Sequence, residues 1–475
     1  VLESSRYEWP GVMIEVEPRR SYPFGPLAAH LLGNVGQISQ RELEARHGDG
    51  YRIGDYIGKK GIEKLFDGKL KGEDGALRVE VDSLGREIRV LASREPRPGG
   101  NVTLTLDLGL QQVTDRVLEG KAGAVVVLDP RSGEVLAASS SPVIDPNKFI
   151  QSLSREEWAE VERDGRHPLQ NRIVQAQYPP GSVFKIVTAL AALEKGVVDE
   201  KTTFTCRGAF RFGKRSYGCW KKSGHGEVDL HRALVESCDI FFYQVGIKVG
   251  IDAIALYARE LGLGKATGFA LGGEASGLVP SQNWKKRAKG EPWYPGETLS
   301  ASIGQGYNLV TPLQMAVLTG VLASDGKLFR PLIVRSVTDV DGNRALTSES
   351  GEMRKVEISP RSLHLVKKAL HGVVNERHGT GRAAAVEDLD VAGKTGTAQV
   401  VRLPKGEGRK DIEDIPMRFR DHAWFISYAP SGKGQVAIAV VVEHGGHGGS
   451  ASAPLVKEIL NEMKNLGFFE LVASR

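Results

Sequence analysis

What this chain has little of narrows it first. Three cysteines in 475 residues exclude a disulfide-dense secreted scaffold, whose small core needs many cross-links. The longest uninterrupted aliphatic run is Val436–Val442, far short of the roughly 20 residues a membrane-spanning helix takes. No signal-peptide pattern is visible. The net charge of +5 is spread over the whole length: no Lys/Arg block is dense enough to argue for nucleic acid, and the mild excess suits work near an anionic membrane or wall. There is no internal repeat and no low-complexity tract. What remains is ordinary globular composition, 41% hydrophobic and 25% charged. At this length one core is not enough, so two domains are expected, one of them large.

The stretch that organises the rest is Gln175–Lys195, QAQYPPGSVFKIVTALAALEK. Pro179, Pro180 and Gly181 break regular structure, and Val183, Phe184, Val187, Leu190 and Leu193 recur at helical spacing, which places Ser182 at a helix N-terminus. Lys185, three residues on, then shares a face with Ser182, roughly 4.5 Å along the axis. An uncharged lysine there takes a serine proton, and the helix start offers free backbone N–H groups where negative charge develops. S-x-x-K alone arises by chance, as a helix with an N-terminal serine and a solvated lysine. The chain also carries, in order, Ser237-Cys238-Asp239 and Lys394-Thr395-Gly396-Thr397, a set that accompanies S-x-x-K in penicillin-binding proteins and class A β-lactamases.

Further segments extend the match: Arg19-Arg20-Ser21-Tyr22-Pro23, Leu32-Gly33-Asn34-Val35-Gly36, Gly58-Lys59-Lys60-Gly61-Ile62-Glu63, Tyr178-Pro179-Pro180-Gly181-Ser182, Gly304-Gln305-Gly306 and Asp421-His422-Ala423-Trp424-Phe425. With these, the chain resembles a class B penicillin-binding protein of the cell-elongation type, penicillin-binding protein 2. Asp239, where division-type relatives usually carry Asn, points to the elongation branch. The resemblance implies a penicillin-binding/serine β-lactamase-like transpeptidase domain (α/β, an antiparallel sheet flanked by helices plus a helical lobe) and a smaller N-terminal β-rich pedestal. It also implies an N-terminal membrane anchor with the catalytic domain in the periplasm. Val1 starts in mid-domain without an initiator Met, so the anchor is expected to be missing from this sequence.

Taken in order, residues 1–97 read as the pedestal, which docks partners, looks incomplete at its start and carries nothing catalytic. A helical piece is expected at Gly61–Leu70, and Leu77–Val90 alternates around Ser83-Leu84-Gly85 as a hairpin does. Pro96-Arg97-Pro98-Gly99-Gly100 marks the boundary, and residues 98–475 form the transpeptidase domain. Asp107 can cap a helix with Leu110, Val113 and Val117 on one face. Strands are expected at Ala124–Leu128, Glu134–Ala138, Val391–Val401, His422–Tyr428 and Val436–Glu443. An amphipathic helix runs through Leu455, Ile459, Met463 and Leu466. The sheet is thus assembled from both ends of a domain around a mostly helical middle from about 150 to 330, with the cleft between them.

In an extended turn Ser237 and Asp239 face one way while Cys238 faces the other; Asp239 could alternatively cap a helix over Ile240–Lys248. Thr395 and Thr397 project to one side of a strand, and with the Lys394 ammonium they suit a substrate carboxylate. Gly396 leaves room for another backbone. Burial and neighbouring positive charge would lower the pKa of Lys185. The resemblance implies Ser182 as nucleophile, Lys185 as base, Ser237 as proton relay, Asp239 fixing the lysine or contacting the donor stem, and an oxyanion hole from the backbone N–H groups of Ser182 and Thr397. It implies peptidoglycan stem peptides as substrates and β-lactam antibiotics as acylating ligands. Its partners would be a membrane SEDS glycosyltransferase (RodA-type) and elongation-complex proteins, with no cofactor for the chemistry. Two other functions compete. A serine β-lactamase or D,D-carboxypeptidase would need fast deacylation, for which Glu260 and Glu274 are the carboxylates in range. A non-enzymatic scaffold or sensor would not need the full set.

The cysteines cluster. Cys206, Cys219 and Cys238 interleave with His225 as Cys-x12-Cys-x5-His-x12-Cys, four ligands of the kinds that close a structural zinc site. The competing reading is a Cys206–Cys219 disulfide with Cys238 buried as a small hydrophobe. An odd cysteine count leaves a thiol unexplained by pairing.

Overall fold

The computed structural model describes residues 19–83, 86–151, 153–347, 351–400, 415–432 and 434–469. The chain divides into two compact units. One holds the described residues of Val1–Leu104 with Ile144–Trp158 and Val334–Ser348; the other holds Thr105–Val143, Ala159–Ile333 and the described part of Glu349–Arg475.

The first unit is built from small antiparallel pieces. Val35–Gln37 pairs with Tyr56–Gly58, Ala76–Val81 with Glu87–Arg94, and Val334–Thr338 lies between Asn101–Leu104 and Arg344–Thr347. The expected hairpin is therefore present, while Leu84 and Gly85 of its turn lie outside the described residues. The expected helical piece is two short helices, Gly61–Leu65 and Asp67–Leu70, interrupted at Phe66.

The second unit centres on a five-stranded sheet of β1 (Gly123–Leu128), β2 (Val135–Ser141), β3 (Ala392–Ala398), β4 (His422–Ala429) and β5 (Val436–Val442), in the order β3-β4-β5-β1-β2 with every neighbour antiparallel. These strands fall where they were expected, but β2 runs on past Ala138 to Ser141 and β3 ends at Ala398, with Gln399 and Val400 beyond it in no strand; Val401, at the expected end of β3, lies outside the described residues. Every residue of β5 is buried because both faces are covered. On one face the helix α1 (Leu108–Val117) lays Leu110, Val113 and Val117 into a core shared with Leu455, Val456, Ile459, Leu460 and Met463 of the C-terminal helix Ala453–Asn465. Asp107 caps α1 as predicted, accepting from the Leu110 N–H at 2.9 Å. Against the other face packs Pro312–Ala323, all twelve of whose residues are buried, as expected of a helix apolar all round.

The middle of the chain is mostly helical, with Lys185–Glu194, Leu230–Val235, Asp239–Val249, Ile251–Glu260 and Pro295–Ser302. It also contains two small ribbons that periodicity did not reveal: Ala209–Phe212 with Arg215–Gly218, and Phe204–Cys206 with Gly226–Val228. Strands of three or four residues carry too little alternation to register. No single described helix is long and apolar enough to cross a membrane. The bent pair Asp239–Val249 and Ile251–Glu260 passes by length and composition with a 101° break between its helices.

Candidate active site

Gly181–Phe184 forms a 3₁₀ turn that runs into the helix Lys185–Glu194. Ser182 thus sits one element earlier than the first α-turn expected, but the consequence is the same, since residues three apart eclipse in a 3₁₀ helix. Two glycines set how closely this turn meets the sheet. Gly181 has φ +54°, and a Cβ there would lie 2.4 Å from the Thr397 carbonyl oxygen; one on Gly396 would lie 2.9 Å from the Pro180 oxygen and 2.8 Å from Val183 Cγ2. The nucleophile turn and β3 therefore touch backbone to backbone, the close approach expected at Gly396.

Lys185 is fully buried. Its Nζ donates to Asp239 Oδ1 at 2.7 Å, to the Ser237 carbonyl at 2.8 Å and to Ser237 Oγ at 3.2 Å. The extended turn expected at Ser237 is replaced by a left-handed residue, φ +55°, after which Asp239 opens the helix Asp239–Val249. Asp239 is not the side-chain cap of that helix. Cys238 holds the cap position without a capping hydrogen bond, and Asp239 Oδ2 instead accepts from the Trp220 N–H at 3.0 Å.

Ser182, Ser237, Asp239, Thr395, Gly396 and Thr397 line one cleft of about 2390 Å³. Both lysines are fully buried beside it. The Lys394 Nζ lies behind the hydroxyls, donating to the Thr395 carbonyl at 3.3 Å, while Thr395 Oγ1 is 2.9 Å from Thr380 Oγ1. Burial, and then the charge of Lys185, hold the Lys394 pKa well below its ordinary value. The combination of burial and a neighbouring ammonium anticipated for Lys185 thus acts on Lys394.

Several residues around the site had no expected role: Arg172 and Glu443 lack any local signal, and Tyr178, His422 and Trp424 enter only as parts of the segments that carry the resemblance. Arg172, almost fully buried, donates from Nε and Nη2 to Glu443 at 2.9 and 3.2 Å, and the Tyr178 hydroxyl donates to Glu443 Oε1 at 2.6 Å. Trp424 Nε1 donates to the Pro179 carbonyl at 3.1 Å. Together they tie the segment before Ser182 to the ends of β4 and β5. His422 stacks edge-on with Tyr178 at 5.3 Å and with His444 at 4.8 Å, and its Nδ1 accepts from the His444 N–H at 3.0 Å.

Burial, then the neighbouring His444, hold the His422 pKa down at about 4, with Glu443 opposing. As pH falls below 6.5 the unfolded chain gains a proton here that the folded chain refuses until about 4, so stability falls. Between pH 7.5 and 5 the expected loss is about 2 kcal/mol. His422→Asn, which keeps an acceptor, should remove that part of the acid sensitivity in urea titrations at the two pH values. An unchanged pH dependence would refute the assignment.

Neither candidate deacylating carboxylate lines the cleft. Glu260 is held by Arg354 Nη1 at 2.5 Å, and Glu274 accepts from the N–H groups of Thr267, Gly268 and Phe269 at 2.7, 3.1 and 3.3 Å. Both are structural ties.

Cys206, Cys219, His225 and Cys238 are all buried, and their ligand atoms lie within 4.8 Å of one another. All three thiols are free. His225 Nδ1 lies 3.4 Å from Cys206 Sγ and 3.6 Å from Cys219 Sγ. Bond lengths near 2.3 Å to sulfur and 2.0 Å to nitrogen at tetrahedral angles require about 3.6 Å between such ligands, so the cluster fits zinc. The Nε2 side faces Glu236 at 3.9 Å, the carboxylate position that commonly orients a metal-bound histidine.

Comparison with known proteins agrees with this geometry. A family model described as the penicillin binding protein transpeptidase domain matches residues 123–461, and one described as the penicillin-binding protein dimerisation domain matches residues 1–104. The peptidoglycan D,D-transpeptidase MrdA of Acinetobacter baumannii is 38% identical over 460 residues, covering 96% of this chain and 67% of that protein. The penicillin-binding protein PBP2 of Helicobacter pylori, in complex with MreC, superposes with a TM-score of 0.85 at 32% identity over 98% of this chain and 83% of that one. A chain from a structure described as structural coordination of polymerization and crosslinking by a peptidoglycan synthase complex matches at TM-score 0.79 and 32% identity, covering 93% and 75%.

Proposed function

The chain belongs to the penicillin-binding protein transpeptidase family, as a class B member of the elongation type, and from that premise we propose that it cross-links peptidoglycan stem peptides during cell elongation. It is then a serine-type D,D-transpeptidase, and β-lactams acylate the same serine. The observation that carries this reading is the convergence of Ser182, Ser237, Asp239, Thr395 and Thr397 on one cleft beside two buried lysines.

In this reading Ser182 Oγ attacks the carbonyl of the D-Ala–D-Ala bond while Lys185, in its uncharged form, accepts its proton and becomes the ammonium that Asp239 holds. Ser237, in contact with Lys185 Nζ, passes the proton on to the departing D-Ala amine. The acyl ester then meets the amine of a neighbouring stem, and the same groups run in reverse. Asp239 keeps Lys185 in place, and the Thr395 and Thr397 hydroxyls receive the terminal carboxylate. The N–H groups of Ser182 and Thr397 face the developing oxyanion, and losing one such donor costs on the order of 100-fold or more in rate. None of these steps asks for a cofactor.

We assign partner docking to the pedestal, residues 1–97, and the chemistry to residues 98–475. The protein acts outside the cytoplasm, anchored in the cytoplasmic membrane, beside a SEDS glycosyltransferase of the RodA type and other elongation-complex proteins. The MreC complex and the synthase complex among its structural relatives support such partners. Intact-mass spectrometry after penicillin treatment tests the activity. A stable single adduct on Ser182 is expected, and its rapid loss would favour a β-lactamase.

The cysteine cluster is proposed to hold a structural zinc through Cys206, Cys219, His225 and Cys238. Its effect would reach the site along the chain, because Trp220, next to Cys219, holds Asp239, and Cys238 separates Ser237 from Asp239. Chelation, or Cys219→Ser, is expected to lower Tm by roughly 5 °C or more and to slow acylation. Metal-free protein after chelator-free purification, with Cys206 linked to Cys219 on peptide mapping, would refute the site.

A further inference from the structure

From Lys201 to Gly226 the chain contains seven Lys/Arg residues and no Asp or Glu. The middle of this segment is the ribbon Ala209–Phe212 with Arg215–Gly218, and it forms a wall of the cleft: Phe212, Lys214, Arg215 and Tyr217, with Lys222 beyond the ribbon, line the same cavity as Ser182. Its orientation follows from pairing. Arg215 stands opposite Phe212, and Tyr217 opposite Phe210, so these four share one face by strand alternation. On that face Tyr217 packs edge-on against Tyr243 at 5.8 Å and reaches the Gly296 carbonyl at 3.4 Å. Arg215 is carried on the cleft side with it.

The cleft's own acids do not answer this charge. Asp239 and Glu297 are the carboxylates among its described lining residues. Asp239 is taken by Lys185, and Glu297 binds the buried Lys285 Nζ at 2.6 and 2.7 Å. Among the described residues, no acid forms an ion pair with Lys214, Arg215 or Lys222, all three of which are exposed. A cleft of about 2390 Å³ also exceeds the roughly 300–1,000 Å³ of a small-molecule pocket, leaving room for more than the D-Ala–D-Ala end. A one-signed wall beside a water-filled cleft focuses its field on the ligand that enters.

We propose that Lys214, Arg215 and Lys222 form a carboxylate-reading wall, which selects stem peptides whose side chains upstream of the D-Ala–D-Ala terminus carry free carboxylates over those in which the carboxylates are amidated. This rests on the transpeptidase reading and adds a specificity to it. The terminal carboxylate remains with Thr395 and Thr397; the wall reads the additional ones.

The test is competition with a fluorescent penicillin for Ser182 by two synthetic peptides ending in D-Ala–D-Ala, identical except that the internal carboxylates are free in one and amidated in the other. The free-acid peptide is expected to protect Ser182 at about a fivefold lower concentration at low salt, with the difference shrinking as ionic strength rises. In the triple variant Lys214→Gln, Arg215→Gln, Lys222→Gln the two peptides should protect equally. Equal protection in the unaltered protein, an undiminished preference in the variant, or no protection by either peptide while penicillin still labels Ser182 would each overturn the proposal. Failure of penicillin to label Ser182 at all would instead bring down the transpeptidase reading, and the wall with it. If the triple variant misfolds, Arg215→Gln alone should reduce the preference about twofold, and an unchanged preference there overturns the proposal too.

Discussion

Replacing Ser182 with alanine is expected to abolish penicillin acylation while leaving stability within about 0.5 kcal/mol, the range of substitutions that disturb no core packing. The expectation is sharp because the turn that carries Ser182 is held by other residues. Gly181 and Gly396 set its contact with β3, and the carbonyls of Pro179 and Gly181's partner Gly304 take hydrogen bonds at 3.1 and 3.0 Å. Removing one hydroxyl leaves all of these in place. Intact-mass measurement with penicillin, alongside thermal unfolding, checks both halves. An adduct formed at the normal rate would mean that another residue is the nucleophile.

Lys185→Ala is expected to do two things at once. Acylation should fall on the order of 10⁴-fold, because nucleophile and base act as a unit. Stability should also fall by about 3 kcal/mol, because the Asp239 carboxylate, with 13% of its side chain exposed, loses the ammonium 2.7 Å away and is left with an uncompensated charge. The two losses can be separated. Pairing Lys185→Met with Asp239→Asn removes the stranded charge, so stability should return while acylation does not. If acylation returned with stability, Lys185 would be a structural cation and not the base.

The legible parts of this molecule were those whose information is local. Helical spacing after Pro180 located the nucleophile helix, and continuous apolar runs located β1 and β5, since strands covered on both faces have no polar side to show, whereas β3, which carries Lys394, Thr395 and Thr397, was placed by its motif. The three motifs could be placed because each is contiguous. What escaped was set by distance or by backbone conformation. Nothing near Arg172 announces Glu443, 271 residues away, and nothing in Ser-Cys-Asp announces that Ser237 is left-handed. The counter-ion that Asp239 gives Lys185 was visible only as one of two options. Val334–Ser348 joins the first unit although no composition shift sets it off from the chain around it.

The pairing of β1 with β5 also governs how the molecule is made. β1 and β2 are adjacent in sequence and their pairing is local, but the other edge of β1 belongs to β5. At about 5–20 residues per second, the roughly 310 residues between Leu128 and its partner Ala437 take on the order of 15–60 s to emerge. Wherever the chain folds, a β1–β2 hairpin formed before β5 joins it would carry Ala124-Val125-Val126-Val127, aliphatic and with its backbone unpaired along one side, a template for wrong partners. Folding of this protein is therefore exposed to mispairing at one definable place, and the exposure ends when Val436–Val442 arrives to close the sheet.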